Sequence, residues 1–125
     1  MMMNFLLVAA GGAIGAASRY AVNLVTLRLF GTGFPVGTLT VNVLGSLAMG
    51  LLVAFFGQRG GPQLAAFLMT GVLGGFTTFS AFSVDTIMLL HRGDVGLALL
   101  YIGASVLASL LAVFVGMVIG GSIFA

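Results

Sequence analysis

Gly74-Gly75-Phe76-Thr77-Thr78-Phe79-Ser80 sets a glycine pair and three hydroxyls in the middle of an apolar run long enough to cross a membrane. Polar, helix-weakening sequence at membrane depth is tolerated only where protein or a water-filled cavity surrounds it. The stretch marks a break in a spanning helix and the place where function should be sought.

Composition extends that reading outward. The chain has 125 residues, 61% of them hydrophobic and 5% charged, with a mean hydropathy of +1.31. A soluble domain of this size could not hide so much apolar surface. A span takes about 20 mostly apolar residues, so the sequence predicts an all-α integral membrane protein with four transmembrane helices. It reads as one domain over residues 1–125, multi-pass in the cell (inner or plasma) membrane. The first apolar segment outruns the short core of a secretion signal and lacks a small-residue cleavage site, which keeps it as a helix of the mature protein. Cysteine is absent, excluding disulfides and thiolate ligation. Four basic against two acidic residues are too few charges to suggest nucleic acid as a partner.

Turn signals divide the spans. The first helix is expected from about Asn4 to Phe30, ending at Gly31-Thr32-Gly33 ahead of Pro35. The second covers about 35–56 and the third about 63–90, with the glycine-threonine interruption near its centre. The fourth occupies about 95–121. Short connections make neighbouring helices antiparallel and put both termini on one side. Orientation normally follows an excess of Lys and Arg in cytoplasmic loops, but the loop arginines 28, 59 and 92 nearly balance across the membrane. Such a chain can insert both ways up, with two opposed copies pairing about an axis in the membrane plane; the other reading is a plain N-out topology, or an orientation decided by factors beyond charge. Glycine pairs Gly11/Gly15, Gly71/Gly75 and Gly116/Gly120 have the small-xxx-small spacing of close helix contact; the spacing alone assigns no interface.

Polar residues inside the spans are more specific. Thr38, Asn42 and Ser46 recur every four residues and share one face of the second helix. Tyr101, Ser105 and Ser109 do the same on the fourth. Phe79 and Phe82 share a face of the third, with Ser80 and Ser83 beside them. Serine and threonine in membrane helices commonly bond back to the preceding turn, and phenylalanines commonly just pack. Asn42 is the expensive member, since a primary amide brings two donors and an acceptor into hydrocarbon.

The sequence has no carboxylate pair, no His and Cys ligand cluster and no nucleophile with an adjacent base, which argues against an enzyme. His91 reads as a solvated turn residue. Asp85 is the one intramembrane carboxylate, the kind of group ion-coupled transporters use, or else a partner for Arg19 or Arg92. Arg19 lies about 13 Å of helix from Arg28 and should snorkel to the interface or face a polar vestibule. A buried positive charge among amide and hydroxyl donors suits an anion.

Three blocks carry a resemblance: Gly11-Gly12-Ala13-Ile14-Gly15-Ala16-Ala17-Ser18-Arg19-Tyr20, Gly37-Thr38-Leu39-Thr40-Val41-Asn42-Val43-Leu44-Gly45-Ser46, and Gly74 to Phe82. In order and spacing they resemble the signature blocks of the Fluc fluoride channels, also called the CrcB family. The resemblance implies an antiparallel, dual-topology homodimer in lipid, with two fluoride pores and a structural sodium ion on the dimer axis. By motif, Gly74 and Thr77 would give backbone carbonyls to the sodium. Phe79 and Phe82 would be pore phenylalanines, with Asn42 as the amide donor near them. Tyr101, Ser105 and Ser109 would form a polar track, Thr38 and Ser80 would belong to the pore set, and Arg19 would sit toward a vestibule. Ala81 and Asp85 depart from the threonine and glutamate common there. The implied activity is passive export of cytoplasmic fluoride. The rival is a small four-helix multidrug exporter, a class that depends on a glutamate within its first helix; this first helix has no acidic residue.

Overall fold

The computed structural model describes all residues from Met1 to Ala125. It is helical without a strand. The first helix, Met2–Phe30, stops at Gly31, whose φ of 74° turns the chain while its N–H bonds Leu27 O. Pro35 precedes the second helix, Val36–Gln58. The third span, Pro62–His91, opens with proline at its first helical position, where the missing N–H costs nothing. It is joined from pieces: a turn over Pro62–Ala65, a π-helical stretch Ala66–Leu73, a last turn Gly74–Phe76, and a new helix Phe79–His91. Gly93, at φ 85°, leads into the fourth helix, Val95–Phe124. All four spans are long and apolar enough to cross a membrane.

Two helix pairs make the bundle, first against third and second against fourth. Each pair meets backbone to backbone. A Cβ on Gly11 would stand 2.5 Å from Phe67 O, one on Gly15 would run into Val72 O, and one on Gly75 would stand 2.6 Å from Gly12 O. Across the other seam, Gly50 lies on Val113 and Gly116, Gly116 on Leu47, and a Cβ added to Gly120 would stand 2.7 Å from Ala54 Cβ. The three small-xxx-small pairs are thus all engaged within one chain. Where side chains are absent, helices approach closely enough for dispersion to hold them in a solvent as apolar as themselves.

The side-chain core is small: Leu89, Ala98 and Tyr101, with Phe34, Leu39 and Phe82 packed on them. Only 16 of 125 residues are buried, so most large apolar side chains point outward, as lipid or a second protein surface requires. At one end of the bundle, Arg92 gathers the two turns. Its guanidinium pairs with Asp94 Oδ2 at 2.9 Å and donates to Thr32 O at 3.3 Å and Gly33 O at 2.8 Å.

Candidate functional site

Thr77 and Thr78 are extended, at φ/ψ −86°/158° and −152°/124°, so the third span loses its helical ladder there. Four carbonyls, of residues 74 to 77, would ordinarily accept from N–H groups four residues on. The N–H of Thr78 instead bonds Asn42 Oδ1 at 2.8 Å, and that of Ala81 bonds Thr78 Oγ1 at 3.1 Å. Thr78 thereby caps the new helix in the manner expected of a threonine at that position. Asn42 closes a second bond, donating from Nδ2 to Thr78 O at 2.9 Å. Its acceptor and one of its two donors are satisfied by a single residue 36 positions away.

Of the carbonyls released by the break, that of Gly75 accepts from Arg19 Nε at 3.1 Å. Thr77 O, outside the helical pieces, accepts no hydrogen bond. No group of three or more His, Cys, Asp or Glu side chains could hold a metal.

Beside the break lies an outward-facing groove of about 370 Å³. Asn42 and Ser46 line it from the second helix, Phe79 and Phe82 from the third, Ser105 and Ser109 from the fourth. The two phenylalanine rings are tilted at 48° with centroids 5.5 Å apart, and Phe79 is 78% exposed at the rim. Ser105 Oγ is buried and has no hydrogen-bond partner, a hydroxyl at the groove with its donor free.

Five of the candidate pore residues, Asn42, Phe79, Phe82, Ser105 and Ser109, are brought together here. Thr38 and Tyr101 are buried and outside the lining. Tyr101 packs on Phe82 at 5.2 Å and receives the edge of Phe34 at 5.5 Å, while its hydroxyl donates to Asp85 Oδ2 at 3.0 Å. Asp85 therefore pairs with a tyrosine, not with Arg19 or Arg92. Ser80 is exposed, its Oγ 3.4 Å from Thr78 Oγ1. Several hydroxyls do bond back one turn: Thr40 to Val36 O, Ser83 to Phe79 O and Thr86 to Phe82 O. Ser46 stood in the helix-two stripe but was not among the candidate pore residues; its place in the groove follows from the same four-residue spacing as Asn42. Thr78 was missed as the partner of Asn42, and no local pattern could have linked them.

Residues 6–117 match the sequence profile of the family described as CrcB-like protein, Camphor Resistance (CrcB). The chain is 55% identical over 125 residues, the whole of both proteins, to a "Fluoride-specific ion channel FluC" of Paracoccus denitrificans. It is 54% identical to a protein of the same name from Cereibacter sphaeroides, covering 94% of each. A third, from Agrobacterium fabrum, is 50% identical over 98% of this chain and 100% of its own length. A profile match over most of the sequence and these full-length likenesses agree with the broken third span and its flanking groove: the chain belongs to the CrcB-like family.

Proposed function

We propose that this protein is a fluoride-selective ion channel that lets cytoplasmic fluoride leave passively, working as an antiparallel, dual-topology homodimer with two pores. The observation that carries the reading is the groove, where one amide, three serine hydroxyls and two phenylalanine rings converge on a face open to the outside of the protomer. The names of the full-length relatives point to the same ion. A groove open on one side becomes a pore when a second surface closes it, and a second copy supplies one of matching chemistry.

Fluoride is small and strongly hydrated, so a selective path must replace its water with donors while excluding larger anions. Ser105 Oγ, with no partner in the protomer, and the remaining Nδ2 hydrogen of Asn42 are such donors. The edges of Phe79 and Phe82 add partial positive charge. A series of modest sites, none of them deep, favours passage over trapping. The inside-negative membrane potential then drives the anion outward.

Backbone oxygens at the break suit a structural sodium ion in their chemistry. Gly74 and Thr77 would hold it through their carbonyls, all-oxygen ligands suited to a hard cation. When bound, the ion would offset the mutual repulsion of carbonyl dipoles facing one another across two copies. Its role on this reading is structural: fluoride flux depends on sodium, and no sodium travels with the anion.

Purified protein in liposomes loaded with fluoride tests the whole reading. Rapid electrogenic efflux of fluoride with little efflux of chloride is the expected result. Equal rates for the two anions, or no flux of either from folded protein, would overturn it.

A further inference from the structure

We infer that Arg19 is a positioning residue for the helix break, and that it acts on the carbonyls of the third span more than on the anion. The inference rests on the proposed cation-stabilised break and assigns one of its supports. Arg19 is half-buried on the first helix, and its Nε donates to Gly75 O at 3.1 Å across 56 residues of sequence. A guanidinium that reaches a neutral backbone oxygen in a membrane-spanning bundle is held there by a charge-assisted hydrogen bond, stronger than a neutral pair.

The bond acts on a rigid lever. Gly75 is pressed against the first helix, so that an added Cβ would stand 2.6 Å from Gly12 O and 3.1 Å from Ala16 N. Arg19 lies one turn beyond those contacts. Backbone contact therefore fixes where Gly75 sits, and the guanidinium fixes which way its carbonyl points. Asn42 fixes Thr78 from the other side through two bonds. Between these clamps, Thr77 O accepts no hydrogen bond.

Arg19 also answers the local charge. The helical segment that ends at Phe76 presents the negative end of its dipole at those last carbonyls, and the converging oxygens add to it. No other charged side chain donates to the break. With Arg19 removed, the Gly75 carbonyl would lose its charged donor and could turn toward the position Thr77 O faces, disturbing the ligand set.

The test measures cation response apart from transport. Thermal unfolding of detergent-solubilised protein is followed against sodium concentration, with N-methylglucamine holding ionic strength constant. Sodium should raise the unfolding temperature of the wild type with a definable midpoint. In Arg19→Leu the midpoint should rise about tenfold, the scale of one lost charge-assisted bond. Arg19→Lys keeps the charge with a shorter, single-headed donor and should shift it less. Fluoride flux is then read in liposomes at saturating sodium, where the variants should recover most of the wild-type rate. An unshifted midpoint in the folded variants, with flux low at every sodium concentration, would place Arg19 on the anion's path and overturn the inference. If Arg19→Leu does not fold, the midpoint of Arg19→Lys decides by the same criterion. A wild type that transports fluoride but shows no sodium-dependent stabilisation would instead remove the cation reading itself, and this inference with it.

Discussion

Asn42 turns both ends of its amide on Thr78, mimicking a strand partner for a residue that has left the helix. Replacing the nitrogen by oxygen sets a carboxylate against the Thr78 carbonyl. Asn42→Asp should therefore lower thermal stability by about 1–3 kcal/mol and strongly reduce fluoride flux, as unfolding curves and liposome efflux will read. Phe79→Ile separates the two effects. Phe79 is 78% exposed on the protomer, so this variant should unfold within about 0.5 kcal/mol of wild type yet transport poorly, because the polarised ring edge is gone. Normal flux in both would move the ion's path elsewhere. Tyr101→Phe tests the buried pair: Asp85 loses its hydroxyl donor, and stability should drop by about 1–3 kcal/mol. At this scale the sequence revealed which residues matter far better than whom they touch. The four-residue stripes announced Asn42, Ser105 and Ser109, since helical spacing is a local property. The partner of Asn42 lies 36 positions away and that of Arg19 lies 56 away, and no local pattern encodes that.

Helix ends were legible because glycine and proline act locally: Gly31 and Gly93 turn with positive φ, and Pro35 and Pro62 stand at the next helix starts. The π-helical stretch Ala66–Leu73 was not legible. Its residues are ordinary membrane-helix formers, and it coincides with the seam where Gly71 and Gly75 meet the first helix, a tertiary circumstance. The glycine pairs were visible as spacing, while their assignment to seams inside the chain needed the fold. That assignment gives a paired test. Gly15→Ala drives a methyl into Val72 O and should cost about 1–3 kcal/mol through overpacking. Gly57→Ala, with nothing within 4 Å of the added carbon, should be neutral or mildly stabilising in a helix. Equal losses for the two in thermal unfolding would mean that glycine serves flexibility here, not contact.

With so few buried residues and an outward apolar face, the whole molecule needs lipid on one part of its surface and, on the proposed reading, its own copy on another. Tags fused to the termini and probed with impermeant reagents should appear on both faces of the membrane; a single orientation for every molecule would sink the antiparallel pair. The Arg92 staple has a mechanical corollary for such a pair. Arg92 ties the turn after the first helix to the turn before the fourth, whereas at the opposite end Arg59 only covers the ring of Phe55, a neighbour on its own helix, at 5.7 Å. Each protomer thus has its two turns tied by a guanidinium at one end and not at the other. Two protomers set head to tail would give each face of the membrane one stapled and one unstapled corner, so both leaflets would meet the same surface.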